Sequence, residues 1–177
     1  MPRLMLLRHA KSSWAEMTTS DFERPLASRG QRNAPLMGRY METNALLPDR
    51  VLCSSALRAR LTFSGLLPFF DIDFDTLFLR DIYDTLDDDY MPLIRHHGGN
   101  AQSLMLIDHN PAAIHETALA LVQNGTPEDI KRLEEGFPTA TLAVIDFDCE
   151  DWDSLEPQSG RLVALIKPRD LEVMVVS

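Results

Sequence analysis

The chain has little of what would mark an unusual environment. Only Cys53 and Cys149 are cysteines among its 177 residues; two are too few for a disulfide framework, and neither falls in a metal-ligand spacing. Both are expected to be buried thiols in a reducing cytoplasm, with no metal and no cofactor. No apolar run approaches the ~20 residues that a membrane-spanning helix needs, so no membrane-embedded part is expected. Arg3 is the only charged side chain before the first apolar run, and no small-residue cleavage site follows that run, which argues against a secretory leader. Positive charge is scarce: 17 Lys and Arg against 27 Asp and Glu leave a net charge of -10. A nucleic-acid partner is not expected of such a chain, because it would require a basic footprint. No repeat, low-complexity tract or long linker divides the sequence, and residues 1–177 read as a single domain with room for a full core.

The scarce positive charge is unevenly placed. Residues 1–60 hold ten Lys and Arg against five Asp and Glu, whereas residues 61–177 hold seven against 22. Arg8, Lys11, Arg24, Arg29, Arg58 and Arg60 all lie in the first stretch. A positive cleft on an acidic body suits a phosphorylated ligand, because the cleft focuses the field while the surface stays soluble.

Apolar runs alternate with helical patterns. Leu4–Leu7, Val51–Cys53, Phe74–Phe78, Ser103–Ile107, Thr141–Phe147 and Arg161–Ile166 read as strands. Helices are expected over Ser28–Leu46 with Ser28 as N-cap, Ala56–Leu67, from Asp87-Asp88-Asp89 toward His97, Pro111–Val122 and Glu128–Glu135. This order implies an α/β fold: a three-layer sandwich whose central sheet is mostly parallel, with helices on both faces. The last two strands are expected to add an antiparallel edge.

Charged residues cluster at strand ends. Arg8-His9 follows the first strand, Arg58 follows the second strand and opens a helix, and His109 follows Leu104–Ile107 ahead of Asn110-Pro111. Ligands of open parallel sheets bind beyond the carboxyl ends of the strands, so these side chains are expected to converge. Two guanidiniums, two imidazoles and a helix N-terminus would surround a phosphoryl group with donors. Which histidine would attack phosphorus is left open by spacing alone.

Read together, Leu7-Arg8-His9-Ala10-Lys11-Ser12-Ser13-Trp14, Arg24-Pro25-Leu26 with Arg29-Gly30, Ser54-Ser55-Ala56-Leu57-Arg58-Ala59 with Thr62, His109-Asn110-Pro111 and Leu162–Leu171 resemble, in order, the motifs of the histidine phosphatase superfamily, in its SixA-type branch. The resemblance spans nearly the whole chain and implies a phosphoglycerate mutase-like fold. It implies a phosphatase in which His9 is transiently phosphorylated. Arg8 and Arg58 clamp the phosphoryl oxygens, His109 adds a donor, and Ser12 is a further phosphate contact. It implies a phosphohistidine-bearing protein as substrate, such as a phosphorelay histidine-containing protein, with a small phosphate ester as the alternative. A phosphate-binding module with impaired turnover is a third reading, and the chain is expected to be a monomer or weak dimer.

Two positions depart from the family pattern. Asp108 stands where Gly is usual; beside His109 it would favour the imidazolium, whereas facing the phosphate it would oppose binding. The Glu motif of larger members is replaced by Leu79-Arg80-Asp81-Ile82-Tyr83-Asp84. Asp81 is the first candidate for a general acid, with Asp84 and Tyr83 behind it. A phosphohistidine needs less acid help than an ester, because imidazole can leave already protonated. The short chain leaves little for a lid, and an open site admits a phosphorylated side chain still attached to its protein. His96-His97, His115, Asp87–Asp89 and Glu150-Asp151 are read as surface or packing features. Trp14 and Trp152 are read as packing anchors, with Trp14 also a candidate for the cleft mouth.

Overall fold

The computed structural model describes residues 1–15, 18–85 and 89–176. Strands β1 (Arg3–Arg8), β2 (Arg50–Ser54), β3 (Asp75–Leu79), β4 (Ser103–Asp108), β5 (Val122–Gly125), β6 (Leu142–Phe147) and β7 (Gly160–Ile166) form one sheet. Their order across it is β3-β2-β4-β1-β6-β7-β5. Helices α1 (Ser28–Thr43), α2 (Leu57–Leu66), α3 (Arg80–Asp84), α4 (Met91–Gly98), α5 (Pro111–Leu121), α6 (Pro127–Glu134) and α7 (Pro168–Val176) complete the fold, with a 3₁₀ turn at Leu67–Phe69.

The central strands β1, β2 and β4 are buried on both faces, and successive side chains alternate between them. Leu4, Leu6, Leu52, Leu104 and Leu106 pack with Ile94 of α4 and with Ile114, Ala118 and Leu121 of α5. Met5, Leu7, Val51, Cys53, Met105 and Ile107 pack instead with Met37 and Met41 of α1, Phe63 and Leu66 of α2 and Leu171 of α7. Each fully buried Leu or Ile contributes about 1.5–3 kcal/mol relative to exposure, so the central strands are the most firmly held part of the chain. They carry the candidate residues at their ends.

Several elements differ from the sequence expectation. The antiparallel strand is not an edge: β6 pairs antiparallel with β1 on one side and with β7 on the other. The far edge is β5, which pairs parallel with β7; its polar Gln123 and Asn124 are exposed and give no strand signal. Helix α1 is preceded by Ala27 in extended conformation, so Ser28 is its first residue and not its cap. It stops at Thr43 because Ala45 adopts a positive φ of 53° and Leu46 turns its amide back onto Met41. Helix α4 begins at Met91, with Asp89 accepting from the Met91 amide at 2.8 Å; Asp87 and Asp88 lie outside the described residues. Cys53 is buried as expected, but Cys149 is half-buried. Trp152 is a packing anchor, donating from its indole to the Ala101 carbonyl at 2.7 Å. Among the described residues no helix is long and apolar enough to cross a membrane.

Candidate active site

Strand register brings the predicted residues together. Arg8 pairs with Asp108 across β1 and β4, and Cys53 of β2 pairs with Ile107 of β4. His9 and His109 therefore leave two adjacent parallel strands at the same level, with Ser54 beside them. Helix α1, which follows β1, and α5, which follows β4, lie on opposite faces of the sheet. Their divergence opens a crevice at the carboxyl ends, as expected at a topological switch point. The resulting cleft has a volume of about 420 Å³. Arg8, His9, Ser12, Arg24, Arg58 and His109 line it, together with Trp14, Asp21 and Thr139.

The positive charge is held in place by backbone and carboxylate acceptors. Arg8 donates from Nη1 to the Phe137 carbonyl at 2.9 Å. Arg58, in the first turn of α2 and 3% exposed, donates to the Asp21 carbonyl at 2.8 Å and to Asp21 Oδ2 at 3.2 Å. Arg24 donates to Asp21 Oδ1 at 3.1 Å and to the Ser12 hydroxyl, and lies 3.8 Å over the Trp14 ring. Trp14 is thus an exposed wall of the cleft mouth. The Nε atoms of Arg8, Arg24 and Arg58 are buried without a hydrogen-bond partner among the described residues. Three guanidiniums so confined form a ready anion site.

The loop after β1 is fitted closely to α1. The Lys11 carbonyl accepts from the Ala27 amide at 2.8 Å, and a Cβ on Gly30 would fall 2.2 Å from that carbonyl oxygen. Glycine at position 30 is what lets Lys11 and Ser12 pass over the start of the helix. Thr62 of α2 holds the same loop from beneath: its hydroxyl accepts from the Ala10 amide at 2.9 Å and donates to the Arg58 carbonyl at 2.7 Å.

His9 is 3% exposed, and its Nδ1 lies 2.6 Å from the Ala10 carbonyl. A carbonyl can only accept, so Nδ1 carries the proton and Nε2 keeps a free lone pair. Burial first, and the charges of Arg58, Arg8 and Arg24 after it, outweigh the Ala10 hydrogen bond and lower the imidazole pKa to about 3. The ring is therefore neutral at physiological pH. The unfolded chain protonates this histidine near pH 6.5, whereas the folded protein resists. This contribution to stability is present above that pH and is lost as pH falls toward 3. In a titration followed by NMR, the His9 ring is expected to stay neutral down to about pH 4. A midpoint near 6.5 would contradict the geometry.

His109 is fixed from behind. Its Nδ1 lies 3.1 Å from Ser54 Oγ and 3.3 Å from Asp108 Oδ1. Asp108 is fully buried and does not line the cleft. Its Oδ1 accepts from the Tyr90 hydroxyl at 2.6 Å, from the Asn110 amide at 2.8 Å and from the His109 amide. Of the two orientations considered, Asp108 takes the one beside His109 and not the one facing the cleft. Burial and the Asp108 charge push the Tyr90 phenol far up, so it remains a donor. Asn110 accepts from the Ala112 and Ala113 amides and caps α5, so its motif has a structural basis.

The general-acid expectation needs correction. Asp81 is exposed and does not line the cleft. The short α3 sends Ile82 into the core, and Asp81 is close enough to His97 to act on its charge. Asp84 is also exposed and pairs with Arg80 at 3.0 Å. Tyr83 does approach: its ring centroid is 4.6 Å from that of His109, and its hydroxyl donates to Asp21 Oδ2 at 3.0 Å. Sequence reading missed Asp21, the carboxylate that lines the cleft. Burial raises its pKa, but Arg58, Tyr83 and Arg24 together lower it below the ordinary value. Asp21 is thus an ionised acceptor and not a proton donor. Its position three residues before the Arg24-Pro25-Leu26 motif was the available signal.

No family model matches the chain. An uncharacterized protein of Mycobacterium leprae is 35% identical over 169 residues, covering 92% of this chain and all of the relative. Among solved structures, the Agrobacterium tumefaciens protein described as a phosphohistidine phosphatase SixA is 32% identical. That match has a TM-score of 0.77 and covers 94% of this chain and 97% of the other. The protein histidine phosphatase SixA complexed with tungstate shares the fold at 19% identity, with a TM-score of 0.71 over 96% of this chain and 99% of the other.

Proposed function

Since the chain belongs to the histidine phosphatase superfamily, in its SixA-type branch, we propose that this phosphatase takes the phosphoryl group of a phosphohistidine in a protein onto His9 and passes it to water without a metal ion. The observation that carries the reading is the state of His9: buried, neutral, with Nδ1–H spent on the Ala10 carbonyl and Nε2 left as the nucleophile. In the first step a His9 Nε2–P bond forms as the P–N bond to the substrate imidazole breaks. The substrate imidazole, already protonated at its other ring nitrogen, takes the bonding electron pair and leaves as neutral imidazole. In the second step water attacks phosphorus, the Nε2–P bond breaks, and inorganic phosphate departs from a neutral His9. Arg8, Arg58, His109 and Ser12 hold the phosphoryl oxygens, and the guanidiniums supply the positive charge that a cation would otherwise provide.

The choice of phosphohistidine over an ester rests on the cleft wall. An alkoxide leaving group needs a proton, and Asp21, the carboxylate that lines the cleft among the described residues, is held ionised. Imidazole makes no such demand. Asp108 lies behind His109 and outside the cleft lining, which supports turnover over a phosphate-binding module. Support for a cytoplasmic location comes from the two unbridged thiols.

A substrate panel tests the proposal. Phosphohistidine peptide should be turned over at least about tenfold more efficiently than phosphoserine, phosphotyrosine or sugar phosphates, a margin of about 1.4 kcal/mol in transition-state binding. Activity should be unchanged by chelator. Preference for a small ester would move the substrate class, and loss of activity with chelator would overturn metal independence.

A further inference from the structure

A second depression of about 880 Å³ adjoins the catalytic cleft and shares Arg8, Lys11, Pro111 and Thr139 with it. Its charge is one-sided: Arg8, Lys11, Arg29, Lys167 and Arg169 line it, against Glu135 as the acidic residue. The catalytic chemistry assigned above uses Arg8 alone of these five.

These cations are also available. Most other arginines of the described chain are tied to carboxylates, as Arg3 is to Asp146, Arg50 to Asp75, Arg80 to Asp84 and Arg132 to Asp170. The side chains of Lys11 and Arg29 form no hydrogen bond or ion pair among the described residues, and both are exposed. Lys167 is different, being only 6% exposed and donating from Nζ to the Arg132 carbonyl at 3.2 Å. Burial, with Arg132 and Arg169 nearby, depresses its pKa. A cation is therefore held in the groove floor at a cost that a bound anion would relieve.

On a body of net charge -10, such a groove concentrates positive potential in one place and selects an acidic segment to fill it. We infer that the groove between the starts of α1, α5 and α7 docks an acidic polypeptide segment flanking the phosphohistidine of the substrate protein. The inference rests on the proposed phosphohistidine reading and names where substrate specificity resides. The volume, about twice that of the catalytic cleft, suits several side chains, and its openness to the cleft at Arg8 and Thr139 lets one chain occupy both.

The test compares wild type with the double variant Arg29→Ala/Arg169→Ala, whose positions are exposed helix starts outside the lining of the catalytic cleft. Substrates are a phosphohistidine peptide with flanking Asp and Glu, the same peptide with neutral flanks, and free phosphohistidine. The double variant should lose about tenfold in kcat/KM on the acidic peptide, the size of two partly screened ion pairs. It should change little on the other two substrates. The wild-type preference for the acidic peptide should shrink as salt is raised. Equal losses on all three substrates, or no loss on the acidic peptide, would overturn the docking role. A second arm measures fluorescence anisotropy of a labelled acidic peptide lacking phosphate. Weaker binding by the variant supports the groove even where turnover is absent, and unchanged binding rejects it. Absence of wild-type turnover on all three substrates would instead refute the phosphohistidine reading.

Discussion

An Arg58→Ala variant is expected to keep its fold and lose about 10²–10³-fold in kcat on phosphohistidine peptide, the usual cost of removing one preorganised transition-state donor. Arg58 is buried at the start of α2 and is fixed by the carbonyl and carboxylate of Asp21. Its guanidinium is therefore positioned before any substrate arrives, and no rearrangement is needed as charge develops on the phosphoryl oxygens. The loss should fall more on kcat than on KM, because the equatorial oxygens draw more from a fixed donor in the transition state than in the ground state. Arg58→Lys keeps the charge but not the planar fork, and should recover only part of the activity. Steady-state kinetics with a circular dichroism check on folding decide it. Wild-type kcat in Arg58→Ala would remove this residue from the phosphate clamp.

The parts of the site that were legible in the sequence share one property: each follows a strand whose apolar run is unmistakable. Leu4–Leu7 and Leu104–Ile107 are covered on both faces, so their ends are marked by the first polar residues, Arg8-His9 and Asp108-His109. That both ends lie side by side comes from strand order, and local pattern does not encode which strands are neighbours. Asp21 was marked only by its nearness to the Arg24-Pro25-Leu26 motif, for a related reason. It sits in an irregular loop, and its importance arises only when Arg58, 37 residues away, closes onto it.

Asp81 illustrates the opposite failure. Its position in sequence suggested a general acid, but α3 is five residues long and its phase is set by Ile82 entering the core. Tyr83 is then brought to His109 and Asp81 is left in solvent. The exposed, polar β5 and the positive φ at Ala45 were likewise tertiary outcomes: one is an edge paired to β7, the other a turn closed by Leu46 onto Met41.

The larger effect belongs to His9. A His9→Gln variant should lose roughly 10⁴–10⁶-fold in turnover, the range reached when a covalent nucleophile is deleted. Its Arg8, Arg24 and Arg58 should still hold an anion, so tungstate binding by the variant is expected to persist. Rapid mixing of the wild-type protein with ³²P-labelled phosphohistidine peptide, followed by a basic quench and peptide mapping, observes the intermediate itself. The expected result is base-stable, acid-labile phosphate on the peptide containing His9, absent from His9→Gln. Label on another residue, or the same label persisting in the variant, would contradict attack by the His9 imidazole.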